Sequence, residues 1–202
     1  MRLFERRLYL LFTPSLCAAD PWQTLELALG AGVDLVQWRC KEANRAGFER
    51  ARETCRRFGV PLIVNDDVML AMRGRAAGAH IGQTDMPADA ARKVLVERCL
   101  GVSTHAPAEI AAAAAAGADY VGFGPCYPTS TKGYQVGKTP AEIEAAVAAA
   151  QQANLPLFAI GGITKAELPQ LRTLGVDRIA VCSTILQSDD PAKATAELRR
   201  WL

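Results

Sequence analysis

An eight-fold alternation of strand-like and helix-like segments constrains this chain more than any other feature of its sequence. Strand patterns fall at 8–12, 35–39, 62–65, 79–82, 100–103, 120–124, 157–161 and 178–182. Helical patterns lie between them, around 21–31, 44–58, 67–75, 87–98, 107–116, 139–153, 164–173 and 191–201. Pro21, Pro87, Pro107, Pro140 and Pro191 stand near helix starts, where a missing N–H costs little. Asp20, Thr139 and Asp190 precede three of them as N-cap candidates. Gly32, Gly59, Gly78, Gly117 and Gly175 read as helix stops ahead of the next strand. The refrain Gly32-Val-Asp34, Gly117-Ala-Asp119, Gly175-Val-Asp177, with a weaker copy at Gly78-Ala-His80, repeats that helix-stop, strand-start device.

Strands alternating with helices imply a parallel sheet, and eight of them in 202 residues predict one compact (β/α)8 TIM barrel spanning 1–202. An open doubly wound sheet is the alternative. Against it, neither GxGxxG nor GxxxxGK[ST] follows the first strand, and the double glycine Gly161-Gly162 follows the seventh. In barrels that loop and the loop after strand eight commonly hold phosphate.

A net charge of +2 argues against a dedicated nucleic-acid binder. Arg45, Arg50, Arg52, Arg56 and Arg57 are interleaved with Glu49 and Glu53, as on a solvated helix face. Cysteines 17, 40, 55, 99, 126 and 182 form no CxxC pair and no zinc spacing, which fits reduced thiols. No apolar run is long enough to cross a membrane, and 8–12 is too short for a signal peptide, so a cytoplasmic protein is expected.

The strand ends carry the chemistry. Gln37, Arg39 and Lys41 are spaced by two and share one strand face, while alternation sends Cys40 to the other. Two cations there need an anionic partner. Asn65-Asp66 ends strand three, and His80-Ile-Gly-Gln-Thr-Asp85 ends strand four. Asp66 and Asp85 on neighbouring loops suit Mg²⁺ held against a diphosphate, although Asp66-Asp67 also reads as a helix cap. Ser103 and His105 end strand five, where Ser103 can donate to phosphate or a ring nitrogen. After strand six, Thr129, Ser130, Thr131 and Lys132 supply hydroxyls, amides and a point charge for an anion. Gly162 is expected where a side chain would crowd a bound anion, with Cys182 and Ser183 on the facing loop. From the residues alone the chain is a barrel enzyme that binds a diphosphate and a second phosphate with Mg²⁺, its substrates unnamed.

The same stretches resemble the thiamine phosphate synthase family over nearly the whole chain. They are Gln37-Trp-Arg-Cys-Lys41, Val64-Asn-Asp66, His80-Ile-Gly-Gln-Thr-Asp85, Gly101-Val-Ser103, Asp119-Tyr-Val-Gly-Phe-Gly-Pro125, Pro128-Thr-Ser-Thr-Lys132, Ala159-Ile-Gly-Gly-Ile163 and Val181-Cys-Ser183. The resemblance implies a transferase that joins a hydroxymethylpyrimidine diphosphate to a thiazole phosphate, releasing pyrophosphate through a dissociative pyrimidine cation. It implies that Gln37, Arg39, Lys41, Asn65, Ser103 and Lys132 hold the pyrimidine diphosphate, with Lys41, Arg39, Lys132 and Ser103 as the catalytic set. Asp66 and Asp85 would ligate Mg²⁺, and Thr129, Ser130, Thr131, Gly162, Cys182 and Ser183 would hold the thiazole phosphate. Partners are then small molecules, with neither nucleic acid nor membrane, and a homo-oligomer is compatible. Departures from the family pattern are Cys40 in place of Glu, the short segments 42–48 and 133–137, and Phe12-Thr-Pro14 at the end of the first strand. The alternatives are a thiazole tautomerase on the same barrel and a non-catalytic protein that binds thiazole or thiamine phosphate.

Overall fold

Continuous apolar runs such as Leu8–Phe12, buried at every residue, need cover on both faces, which a parallel sheet wrapped by helices supplies. In the computed structural model, which describes residues 3–40, 44–129 and 135–202, that cover is complete. Strands β1 (Leu8–Phe12), β2 (Leu35–Trp38), β3 (Leu62–Asn65), β4 (Gly78–Ile81), β5 (Cys99–Thr104), β6 (Tyr120–Phe123), β7 (Leu157–Ile160) and β8 (Ile179–Val181) pair in parallel, in chain order, and close on themselves. Helices α1 (Pro21–Gly30), α2 (Arg45–Arg57), α3 (Val68–Arg73), α4 (Ala88–Leu95), α5 (Pro107–Ala115), α6 (Pro140–Gln152), α7 (Leu168–Thr173) and α9 (Pro191–Arg199) follow the strands, with a short α8 (Ser183–Leu186) directly after β8.

Alternation sorts the strand residues into two cores. Leu8, Leu10, Phe12, Val36, Trp38 and Val64 face the helices. Tyr9, Leu11, Leu35, Ile63, Tyr120, Phe158 and Ala180 fill the barrel interior, with Leu3 of the N-terminal 3-10 turn packed against them. The Tyr9, Tyr120 and Phe158 rings meet edge to face at centroid separations of 5.3–5.9 Å, the arrangement the ring quadrupole favours.

Three caps form as the sequence predicts. Asp20 accepts from the Trp22 and Gln23 N–H groups, Asp190 accepts from the Lys193 N–H, and Thr139 with Glu142 makes a full capping box. The Gly-x-Asp refrain also has a physical meaning. Gly32, Gly117 and Gly175 adopt the left-handed φ that ends a helix. Two of the aspartates then tie the foot of the preceding strand: Asp34 accepts from the Arg7 and Leu8 N–H groups, and Asp119 from the Leu100 N–H at 2.7 Å.

Gly78 is a correction. It is not a helix stop but the first residue of β4, and a Cβ there would meet the Cys99 carbonyl oxygen at 1.9 Å. Glycine is needed for close strand contact, and the left-handed residue after α3 is Arg75 instead. Several strands end one residue earlier than their patterns, so Arg39, Gly82, Gly124, Gly161 and Cys182 lie just beyond the ladder. No helix among the described residues is long and apolar enough to cross a membrane.

Candidate active site

The C-terminal ends of the strands surround one pocket. Its lining includes Arg39 after β2, Ser103 and His105 at the end of β5, Gly124 and Thr129 after β6, Gly161 to Ile163 after β7, and Cys182 to Thr184 after β8. Five strand ends thus bring Arg39, Ser103, Thr129, Gly162, Cys182 and Ser183 together, as the sequence predicts. Lys41, Ser130, Thr131 and Lys132 lie outside the described residues.

Arg39 is half-buried on the pocket wall, and among the described residues its guanidinium has no ion-pair partner. Arginine stays charged at any working pH, and a half-buried cation without a counter-charge suits an anionic partner. On the other side stand the loops after β7 and β8. Gly161 and Gly162 both have positive φ, 98° and 63°. Neither the Gly162 nor the Ile163 N–H has a backbone acceptor among the described residues. Ser183 opens α8, and the Ser183 and Thr184 N–H groups have no backbone acceptor among the described residues. Amides, hydroxyls and glycine turns of this kind suit a phosphate.

Glycine at 162 has a reason within the protein itself. A Cβ there would first meet the Pro128 carbonyl oxygen at 2.3 Å and the Tyr127 Cβ at 2.8 Å. The loops after β6 and β7 are zipped together, with the Cys126 N–H donating to Ile160 and the Tyr127 N–H to Gly161. Close approach of the two loops by itself excludes a side chain there.

The two acidic residues divide their work cleanly. Asp67 is the α3 cap, accepting from the Leu70 N–H at 2.7 Å. Asp66 is exposed at the end of β3 with φ 63°, its own N–H donating to the His80 carbonyl. A left-handed Asp is tolerated better than most non-glycine residues. Asp85 uses one carboxylate oxygen to accept from the Gly82 N–H at 2.7 Å, which holds the loop after β4. No group of three or more His, Cys, Asp or Glu suited to a metal occurs among the described residues.

Gln37 points into the barrel and is buried, donating from Nε2 to the Tyr9 hydroxyl at 2.9 Å. Asn65 continues the interior face of β3 above Ile63. Cys40 packs against the outer, helix-facing core, as alternation predicts. His105 is engaged by Glu109, whose Oε2 accepts from both its backbone N–H and its Nδ1. Burial raises the Cys182 thiol above its ordinary range, offset in part by a contact with Thr13 and by Arg39.

Sequence reasoning missed a polar chain beneath the pocket. The Tyr9 and Tyr120 hydroxyls are 2.9 Å apart, Tyr120 is 3.0 Å from His80 Nδ1, and His80 Nε2 is 2.9 Å from Ser103 Oγ. With Gln37 this makes five side chains from β1, β2, β4, β5 and β6. The available signal was parity: each occupies an interior position of its strand. Burial pushes both tyrosines well above the usual phenol range, so each keeps its proton.

Residues 8–185 match the sequence profile of thiamine monophosphate synthase. The chain is 40% identical over 206 residues to a thiamine-phosphate synthase of Synechococcus sp. (strain CC9605), an alignment covering all of this chain and 57% of that relative. It is 38% identical over 199 residues to a thiamine-phosphate synthase of Bacillus velezensis, covering 91% of this chain and 86% of that one. A thiamine phosphate pyrophosphorylase from Pyrococcus furiosus superposes with a TM-score of 0.85 at 29% identity, over 96% of this chain and 94% of its own. The chain spans little more than half the length of the cyanobacterial relatives it matches. By profile, sequence and barrel alike, this chain belongs to the thiamine monophosphate synthase family.

Proposed function

We propose that this chain condenses 4-amino-2-methyl-5-hydroxymethylpyrimidine diphosphate with 4-methyl-5-hydroxyethylthiazole phosphate to give thiamine phosphate and pyrophosphate. The observation that carries this reading is Arg39, a half-buried cation without a counter-charge in the same pocket as the Gly161-Gly162 and Cys182-Ser183 loops. One pocket then offers two different anion positions, as two phosphorylated substrates require.

In this reading Arg39, with Lys41 and Lys132, neutralises the diphosphate as it departs. Charge stabilisation that grows as the bond breaks lowers the barrier rather than merely tightening binding. Gln37, Asn65 and Ser103 hold the pyrimidine. Gly162, Thr129, Ser130, Thr131, Cys182 and Ser183 hold the thiazole phosphate, so that the ring nitrogen lies ready to capture the pyrimidine methylene cation. Placement of the nucleophile and exclusion of water do the remaining work. The protein supplies no covalent nucleophile.

Asp66 and Asp85 fit Mg²⁺. Both are hard oxygen donors at neighbouring strand ends, and Asp66 is not spent on capping α3, which Asp67 does. Two carboxylates with substrate oxygens and water suffice for Mg²⁺. When bound, the ion supplies further charge neutralisation at the diphosphate. All six cysteines are free thiols, which supports a cytoplasmic setting.

The test is product formation. Purified protein with both substrates and Mg²⁺ should yield thiamine phosphate and stoichiometric pyrophosphate. Rearrangement of the thiazole phosphate without the pyrimidine would point to a tautomerase, and binding of thiazole phosphate with no product to a regulator.

A further inference from the structure

Strand β4 leaves the barrel differently from its neighbours. Past β2, β3 and β6 the next residue still gives its N–H to the adjacent strand: Arg39 to the Phe12 carbonyl, Asp66 to His80, and Gly124 to Thr104. β4 breaks off on both sides. Towards β3, the rung from Asp66 to His80 sets the Asp66 carbonyl opposite the Gly82 N–H. That N–H turns instead to Asp85 Oδ2 at 2.7 Å. Towards β5, the Cys99 N–H donates to Ala77, and Ile81 pairs with Val102. Stepping by two along that ladder sets the Ser103 carbonyl opposite the Gln83 N–H. This backbone rung is missing too, and the Gln83 side chain replaces it, Nε2 donating to the Ser103 carbonyl at 2.6 Å.

The 82–85 turn therefore stands on two side-chain bonds. Asp85 makes one of them within the turn, and Gly82 admits the carboxylate, since a Cβ there would lie 3.2 Å from Oδ2. Gln83 makes the other, which among the described residues is the turn's one hydrogen bond to β5.

We infer that Gln83 is a positioning residue, which ties the Asp85 turn to the end of β5 and so sets the separation between that carboxylate and Ser103 on the pocket wall. This deepens the function proposed above and rests on it. The hold of Asp85 on Gly82 competes with a metal for the same carboxylate, whereas the bond from Gln83 to Ser103 does not involve that group. A long neutral amide also suits the place. It reaches a carbonyl that the backbone has left behind, and it adds no charge beside a diphosphate.

Two variants test the tie. Gln83→Met keeps the length and removes the donor, and Gln83→Asn keeps the amide but falls one methylene short. Gln83 is exposed, so both should fold with Tm near that of wild type. Each should lower kcat about fivefold, the scale of one hydrogen bond. Each should also raise, several-fold, the KM for the pyrimidine diphosphate and the Mg²⁺ concentration needed for half-maximal rate, while the KM for thiazole phosphate holds. In a Ser103→Ala background, Gln83→Met should cost less than it does alone. In metal-free protein, amide hydrogen exchange at Gly82 should accelerate in both variants while exchange at 161–163 holds. Wild-type kinetics in the folded variants overturn the positioning role. An equal rise in KM for both substrates, or an undiminished cost in the Ser103→Ala background, overturns the coupling to Ser103. Unchanged Gly82 exchange overturns the tie whatever the substrates prove to be, and failure of wild type to form thiamine phosphate overturns the functional reading.

Discussion

The Pro128 carbonyl oxygen roofs Gly162 so closely that a methyl group on the glycine would stand 2.3 Å from it. This contact joins the loops after β6 and β7, which carry Thr129 on one side and, on the other, the amides of Gly162 and Ile163, without a backbone acceptor among the described residues. Pocket shape on the thiazole side therefore depends on how two loops lean on each other.

Gly162→Ala should strain a left-handed backbone position, at a cost of about 1–2 kcal/mol from φ alone, and push the Tyr127-Pro128 segment away. We expect a lower Tm and a KM for thiazole phosphate that rises more than that for the pyrimidine diphosphate. Steady-state kinetics with each substrate varied in turn decide this, and an equal rise in both would contradict it.

Asp85→Asn separates loop structure from metal chemistry. The amide oxygen can still accept from the Gly82 N–H that Asp85 now engages, so Tm should hold. Losing the charge should cut kcat by at least about a hundredfold if Asp85 ligates Mg²⁺ at the diphosphate. Chelation of wild type should reproduce the defect, reversed by added Mg²⁺. Full activity of the variant in chelator would end the metal assignment.

Neighbouring aspartates should behave oppositely. Asp67→Ala removes the α3 cap and should cost about 1 kcal/mol of stability, with little change in Mg²⁺ dependence. Asp66→Ala should leave the cap intact and raise the Mg²⁺ concentration needed for half-maximal rate. Thermal denaturation beside metal titration resolves the pair, and a matching phenotype for both would show that Asp66 has no role of its own.

Two half-buried thiols offer a contrast in reactivity. Cys40 packs on the outer core and Cys182 lines the pocket. Cys40→Ser should keep near-normal activity, since Cys40 packs against the outer, helix-facing core while Arg39 lines the pocket. Burial raises the Cys182 thiol, so its thiolate is scarce at neutral pH and its alkylation should speed up only as pH climbs above the ordinary thiol range of about 8.5. Thiazole phosphate should protect Cys182 and leave Cys40 unprotected. Peptide mapping after limited alkylation gives the answer.

The barrel and the parity of its strands were written in the sequence, because helix punctuation and strand alternation are local. Asp20, Thr139 and Asp190 cap where their neighbours say they must, and spacing by two was enough to put Arg39 on the pocket side and Cys40 on the outer one. Contacts between distant strands were not legible in this way. Gly78 looked like a helix stop and proved to be a strand residue pressed on Cys99, and the loop contact that Pro128 makes over Gly162 had no signal in the sequence. Tyr9 and Tyr120 stand 111 residues apart in the chain, and only barrel closure brings their hydroxyls to 2.9 Å. Local sequence sets which way a side chain faces, whereas the partner it meets across a closed sheet depends on the register of all eight strands at once. The hydrogen bonds that join Tyr9, Tyr120 and His80 therefore had to wait for the tertiary structure.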